Sequence, residues 1–240
     1  MKAILLAAGL GTRLRPITDT VPKCLVPING RPLLDFWLEM LFSQGVEQVL
    51  VNTHHLHEAV VEFVNRSRWR DRVVLVHETD LLGTGGTVLQ NRDFVAGESF
   101  LVAHADNLTC FDFVAFRDHH ENRRAGIEIT MISFTTDSPK TCGVLELDDQ
   151  GIVRRIHEKA ENPPGNTANG AVYLFSQKVI DFMVGLGKPV IDLSTEVLPA
   201  FLGRIQAYQR VLYLRDMGSP ENLGRAERDL EVYRRVFGQN

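Results

Sequence analysis

The chain has 240 residues, enough for one large α/β domain or two small ones. Its composition, 44% hydrophobic and 23% charged, is ordinary for a globular chain. A formal net charge of −4 gives no global basic field, which argues against nucleic acid as a partner while leaving room for a local basic pocket. No apolar run approaches the ~20 residues of a membrane-spanning helix. Arg13 and Arg15, and no cleavage-like segment, follow the first apolar run, so a core strand is expected there in place of a signal peptide. Cys24, Cys110 and Cys142 form no C-x-x-C pair, and reduced thiols in a cytoplasmic protein are expected.

Apolar runs alternate with amphipathic segments. Ala3–Ala7 reads as the first strand, and 33–44 as a helix with Leu33, Leu34, Trp37, Leu38 and Leu41 inward, ending before Gly45. Residues 48–52 read as a strand, 57–65 as a helix with Val60, Val61 and Val64 inward, and 73–77 as a strand. A short helix is expected over 86–91, after the glycines at 83, 85 and 86, and a strand over 100–105 ending at Asp106. Such alternation predicts an α/β fold: a Rossmann-like, mostly parallel sheet with helices on both faces. Ligands then bind at the carboxyl ends of the strands, where the Gly9 loop, Glu78 and Asp106 fall.

The second half is β-rich. Strands are expected over 127–134, 143–147, 151–157 and 170–175, with turns at 148–151 and 163–165. Helices are expected over 177–184, over 194–202 with Ser194 as N-cap, and over 221–237, with a late strand at 211–214. No repeat or linker is evident, so one domain over 1–240 is expected, its first half running to about residue 110 and its second over 111–240.

The first strand opens into AAGLGTRLRPITDTVPKCLVPI. Gly9 and Gly11 allow close backbone approach to an anion, and Arg13 and Lys23 supply positive charge. The dinucleotide fingerprint is absent because no third glycine follows, and the Walker A pattern is absent too. Pro16 and Pro22 disfavour an immediate long helix. Two glycines after a strand also suit an ordinary βα turn.

The whole string, however, resembles the signature of the sugar-1-phosphate nucleotidyltransferases: G-x-G-T-R, then Pro, Thr and Pro-Lys. Further matches follow in family order: Glu78 with Leu82-Gly83-Thr84-Gly85-Gly86, Ala105-Asp106-Asn107, Gly143, Glu158-Lys159, Asn169-Gly170 and Asp216-Met217-Gly218. The L-G-T-G-G form is similar to enzymes using GTP with mannose- or heptose-1-phosphate, including a short group that makes GDP-D-glycero-D-manno-heptose. One departure is His104-Ala105-Asp106, where the family has Gly-Asp.

The resemblance implies transfer of a nucleotidyl group from an NTP, GTP first, to a sugar 1-phosphate, in nucleotide-sugar supply for cell-envelope polysaccharide. It implies Arg13, Lys23 and Asp106 as catalytic residues, and Asp106 with Asp216 as ligands of Mg²⁺. Ala8, Gly9, Gly11, Thr12, Arg13, Glu78, Gly83 and Gly85 are implied at the nucleotide, where small residues leave room for a purine. Gly143, Glu158, Lys159, Asn169 and Gly170 are implied at the sugar phosphate. Without the resemblance, Asp106 also reads as an N-cap, Asp216 as a turn residue and Glu158-Lys159 as a solvated pair. Lys23 is different, because a charge beside Cys24, Leu25 and Val26 is costly to bury without a partner.

Rival readings are a UDP- or dTDP-sugar-forming enzyme, such as an N-acetylmuramate-1-phosphate uridylyltransferase or a glucose-1-phosphate thymidylyltransferase, and a non-catalytic nucleotide-sugar sensor. Retention of Lys23, Asp106, Lys159 and Asp216 argues against the sensor. No hexapeptide repeats follow the matched region, so no acyltransferase tail is expected. Neither nucleic acid nor membrane is expected as a partner, and self-association into a homo-oligomer is compatible with the chain. His54, His55 and His57 are spaced poorly for zinc, and no Cys is close in sequence to complete a site. His119 and His120 are expected to be solvated on a charged helix, and Trp37 and Trp69 to pack. No G-x-S-x-G elbow occurs, so hydrolase chemistry is not indicated.

Overall fold

The structure, a computed structural model, describes residues 1–237. In chain order its elements are β1 (Ala3–Leu6), β2 (Pro27–Ile28), β3 (Arg31–Pro32), α1 (Leu33–Ser43), β4 (Val49–Thr53), α2 (His57–Arg66), β5 (Val73–His77), α3 (Gly83–Gln90), β6 (Phe100–His104), β7 (Asn107–Phe111), α4 (Phe113–Glu121), β8 (Ile129–Thr135), β9 (Gly143–Leu147), β10 (Val153–Glu158), β11 (Thr167–Phe175), α5 (Gln177–Gly185), β12 (Ile205–Tyr208), β13 (Val211–Asp216) and α6 (Pro220–Phe237). The class is the expected mixed α/β one.

Two compact units partition these elements. One holds Met1–Leu81, Ala103–Phe111 and Leu212 onward; the other holds Leu82–Val102 and Asp112–Val211. The partition therefore differs from a single cut near residue 110: α3 groups with the later strands, and α6 with the earlier ones.

In the first unit, β1 pairs in parallel with β4, Ala3 opposite Val49 through Leu6 opposite Asn52, and β4 pairs in parallel with β5. All four residues of β1 are buried, as a strand covered on both faces requires. The α1 stripe read from the sequence is correct at every position: Leu33, Leu34, Trp37, Leu38 and Leu41 are each at most 1% exposed. Burying each such side chain contributes about 1.5–3 kcal/mol before entropy is counted. Trp37 adds a hydrogen bond from Nε1 to the Asn107 carbonyl at 2.8 Å, which ties α1 to β7. On α2, Val60 and Val64 are buried but Val61 only partly so, because positions four apart share a face and Val61 lies a quarter-turn round. Where Pro16 and Pro22 break the chain, three short 3₁₀ turns form, at Thr12–Leu14, Ile17–Asp19 and Lys23–Leu25. β7 pairs with β13, and the Asn29 side chain donates to the Glu227 carbonyl on α6.

In the second unit, β11 pairs antiparallel with β8 and touches β9 at Ala168 opposite Val144, while β9 and β10 form a hairpin that sets Glu158 opposite Gly143. The expected turn at 148–151 closes it, with Asp148 Oδ1 accepting from the Gln150 and Ile152 amides at 2.9 Å each. β12, unforeseen, pairs in parallel with β8.

Two expectations are corrected here. The segment around 194–202 is no regular helix: a π turn over Leu193–Val197 runs into a 3₁₀ turn over Leu198–Phe201 that contains Pro199. Its N-cap is Asp192, which accepts from the Thr195 amide, and not Ser194. His119 is exposed, but His120 is fully buried. Its Nδ1 meets Thr130 Oγ1 at 2.7 Å and its Nε2 meets Ser99 Oγ at 3.1 Å, and Gln206 donates to the same threonine hydroxyl. Among the described residues no helix is long and apolar enough to cross a membrane, and the three cysteines are free.

Burial, then the Arg123 charge, pushes the His120 imidazole down to about 3 from 6.5. A depressed histidine favours the fold above its unfolded value, and that contribution is lost as pH falls from about 6.5 toward 3. Thermal melts between pH 7 and 5 are expected to show stability falling by at most about 2 kcal/mol from this group. In His120→Gln the slope with pH should flatten. An unchanged slope would show that His120 does not carry it.

Candidate active site

Four of the predicted residues converge in the first unit. Lys23 is 6% exposed, and its Nζ lies 2.6 Å from Asp106 Oδ2 and 3.8 Å from Asp216 Oδ1. Asp106 stands in the turn from β6 to β7, and Asp216 closes β13. The Met217 amide donates to the Asp106 carbonyl at 3.3 Å, so the two acidic positions are fastened through backbone as well. Burial pushes the Asp106 carboxyl up, but the Lys23 and His104 charges and the Lys23 hydrogen bond outweigh it and hold it below the usual carboxylate range. Asp106 is therefore ionised at neutral pH. Arg13 Nη1 lies 3.6 Å from Asp216 Oδ2. A Cβ at Gly218 would sit 2.5 Å from Arg13 Nη2, so the guanidinium occupies the space that glycine leaves. The two carboxylates, which share the Lys23 ammonium, are hard oxygen donors. That donor set suits Mg²⁺, which keeps several waters or substrate oxygens and needs few protein ligands. Among the described residues no cluster of three or more His, Cys, Asp or Glu side chains could hold a metal.

The loop after β1 uses its two glycines differently. Gly11 has φ of +65°, and an added Cβ would meet Thr18 Cγ2 at 2.8 Å; Thr18 Oγ1 also donates to the Gly11 carbonyl at 2.7 Å. Gly11 is thus required by the fold itself. Gly9 is exposed, and nothing lies within 4 Å of an added Cβ. Ala8 is buried, while Thr12 is exposed and opens the first 3₁₀ turn.

Glu78 is 5% exposed, and Asn52 Nδ2 donates to its Oε1 at 2.9 Å, while Asn52 Oδ1 accepts from the Ala7 amide at 2.7 Å. Asn52 thus links the end of β1 to Glu78, a role sequence reasoning missed. The available signal was a polar residue closing the apolar run QVLVN. His54 Nδ1 lies 2.7 Å from the Glu78 carbonyl, His55 Nε2 lies 3.1 Å from the Thr18 carbonyl, and His57 stacks on His77.

A second group forms in the other unit. A Cβ at Gly143 would lie 2.7 Å from Glu158 Oε2 and 3.8 Å from Asn169 Cβ, so the glycine makes space for the glutamate across the hairpin. Lys159 is exposed, lies 3.8 Å from Glu158 Oε1, and has φ of +47° with its amide on the Cys142 carbonyl. Asn169 Oδ1 accepts from the Ala171 amide and its Nδ2 donates to Tyr173 Oη, both at 2.9 Å. Gly170 lies in the irregular stretch of β11, where Ala171 has φ of +54°.

Gly83 and Gly85 belong to this unit too, and their size answers to a neighbouring segment. Helix α3 starts three residues earlier than the sequence suggested, so the glycines lie inside its first turn. A Cβ at Gly83 would meet the Ile191 carbonyl oxygen at 2.5 Å, and one at Gly85 would meet Ile191 Cγ2 at 2.7 Å. Ile191 stands where the missing side chains would be.

A profile of the nucleotidyl transferase family matches residues 2–232, and the chain belongs to that family. Among curated proteins it is 32% identical to the mannose-1-phosphate guanylyltransferase of Mycobacterium tuberculosis (strain ATCC 25618 / H37Rv), over 95% of this chain and 64% of that protein. It is 31% identical to mannose-1-phosphate guanyltransferase beta-A of Xenopus laevis, over 92% of this chain and 62% of that protein. The chain thus spans less than two thirds of these relatives. Among solved structures, HddC from Yersinia pseudotuberculosis superposes with a TM-score of 0.79 at 24% identity, covering 95% of this chain and 99% of that one, which is a likeness of fold.

The two loop glycines are separable by substitution. Gly11→Ala is expected to cost about 1–2 kcal/mol, from left-handed strain and the Thr18 contact, and to lower the melting temperature. Gly9→Ala should leave it unchanged. Equal losses from both would contradict this division.

Proposed function

We propose that the chain transfers a nucleotidyl group from an NTP, preferably GTP, to a sugar 1-phosphate of the mannose or heptose type. An oxygen of the sugar phosphate bonds to the α-phosphorus, the bond from that phosphorus to the bridging oxygen breaks, and pyrophosphate leaves with the electron pair. The observation that carries this reading is the buried Lys23 ammonium held on Asp106 and Asp216 in the unit that also carries the open Gly9 loop. An ammonium fixed by carboxylates is pre-organised to meet phosphate charge without reorganising.

In this reading the Ala8–Arg13 loop receives the triphosphate, its backbone approaching closely at Gly9. Arg13 and Lys23 offset charge on the α-phosphate and the departing pyrophosphate. Asp106 and Asp216 would hold Mg²⁺, which when bound supplies further counter-charge to the phosphate oxygens. Lys159 binds the phosphate of the sugar substrate, and Glu158 accepts hydrogen bonds from its hydroxyls beside Gly143, Asn169 and Gly170. The attacking phosphate is already ionised at neutral pH, so no general base is needed. Glu78, Gly83 and Gly85 serve the base. Preference for guanine is supported by the names of the curated relatives, and such a site would need acceptors for N1–H and N2–H₂. A cytoplasmic role in nucleotide-sugar supply for cell-envelope polysaccharide goes with this reading.

Pyrophosphate release with GTP and mannose- or heptose-1-phosphate tests it. Activity is expected to require Mg²⁺, and Asp106→Asn should lower kcat by about three orders of magnitude while the variant stays folded by circular dichroism. Near-normal turnover of Asp106→Asn at saturating Mg²⁺ would remove the metal assignment. Nucleotide choice is read from initial rates with each NTP. A kcat/KM for GTP about tenfold or more above that for UTP, dTTP, CTP and ATP is expected, because each unpaired buried acceptor costs about 1–3 kcal/mol. A pyrimidine nucleotide at or above GTP would leave only the general transferase reading.

A further inference from the structure

The first turn of α3 is stitched to the segment Pro189–Leu193. The Gly85 and Gly86 amides donate to the Ile191 carbonyl at 2.8 and 3.1 Å, and the Ile191 amide donates to the Leu82 carbonyl at 3.0 Å. Two of the amides that a helix start leaves unpaired are therefore answered by protein. Thr84 makes the side-chain contacts of this turn: its Oγ1 accepts from the Leu193 amide at 2.8 Å and donates to Asp192 Oδ2 at 3.3 Å. Asp192 is a hub. Its Oδ1 accepts from the Thr195 amide at 2.9 Å and hydroxyl at 3.0 Å, and its own amide donates to Glu196 Oε1 at 2.9 Å. Glu196 in turn pairs with Lys188.

A turn built on Gly83, Gly85 and Gly86 has little conformational preference of its own, since glycine loses more freedom on ordering than any other residue. The order must come from the neighbouring segment. We propose that Thr84 and Asp192 are positioning residues for nucleotide recognition: they fix the Leu82–Gly86 turn in the shape that meets the base. This rests on the transferase reading, which places Gly83 and Gly85 at the base. Asp192 acts through the turn: its Oδ2 accepts from Thr84 and its Oδ1 from Thr195. Pre-organising a binding turn raises affinity by removing the cost of ordering it.

The test compares Thr84→Val, Thr84→Ser and Asp192→Asn with the parent chain. NTP affinities are measured by calorimetry with GTP and UTP in Mg²⁺, alongside initial rates and thermal melts. Thr84→Val is expected to weaken NTP binding and raise the NTP KM by about five- to tenfold, and to narrow the GTP-to-UTP ratio, with kcat and the sugar-phosphate KM within about twofold. Thr84→Ser, which keeps the hydroxyl, should restore parent values, and Asp192→Asn should show the same split in milder form. A lowered melting temperature with unchanged NTP affinity would overturn the proposal and leave a purely structural clasp. So would equal rises in both substrates' KM. If Thr84→Val fails to fold, the Asp192→Asn split decides. A parent chain that binds NTP but releases no pyrophosphate would sink the transferase reading, while the affinity shift still judges the turn. A parent chain that binds no NTP would overturn both.

Discussion

One ammonium governs the first unit. At 6% exposure, Lys23 cannot stay charged without partners, and an unpaired charge at that depth costs several kcal/mol. Asp106 and Asp216 supply the pairing, and both come from strand ends. The return of β13 to pair with β7 is what brings the second carboxylate in, so residues from 212 onward must rejoin the unit begun by residues 1–81. Arg13, set against Gly218 and paired with Asp216, gives the cluster a second positive charge. Two side-chain cations, Arg13 and Lys23, then face the two carboxylates.

That arrangement bears on the proposed chemistry. A triphosphate brought to this cluster would meet two carboxylates as well as two cations. Asp106 stays ionised despite burial, because Lys23 and His104 hold its carboxyl down. Its charge therefore persists at neutral pH, and in the proposed reading it would help hold the divalent cation. In the proposed reading, Lys23 and Arg13 meet phosphate oxygens from the positions in which the carboxylates hold them.

Much of the fold was legible where its signals are local. β5 and β9 have the bounds read from the sequence, and the α1 stripe is buried at every named position. What escaped depends on distant partners. β7, NLTCF, mixes Asn107 and Thr109 with apolar residues and owes its form to β13. β12 is four residues long and exists by pairing with β8. His120 sits on a segment that reads as charged, yet its position on α4 turns it inward to Thr130 and Ser99. The cluster of Arg13, Lys23, Asp106 and Asp216 was legible through its spacing along a resemblance; without it Asp106 and Asp216 each had a plain alternative.

Glycine was the least legible residue, since its meaning lies in what stands beside it. Gly11 answers to a positive φ and to Thr18, Gly83 and Gly85 to Ile191, Gly143 to Glu158 and Gly218 to Arg13. In each case the chain's own atoms account for the missing side chain. Gly9 is the exception in this set, with no protein atom near the place its Cβ would take. Lys159 makes the complementary case. A non-glycine residue at φ of +47° holds a strained backbone worth about 1 kcal/mol, and its exposed pair with Glu158 repays little of that. Stability explains neither the freedom granted at Gly9 nor the strain tolerated at Lys159. The proposed reading gives each a use of its own, backbone approach to the triphosphate at the first and an ammonium for the sugar phosphate at the second.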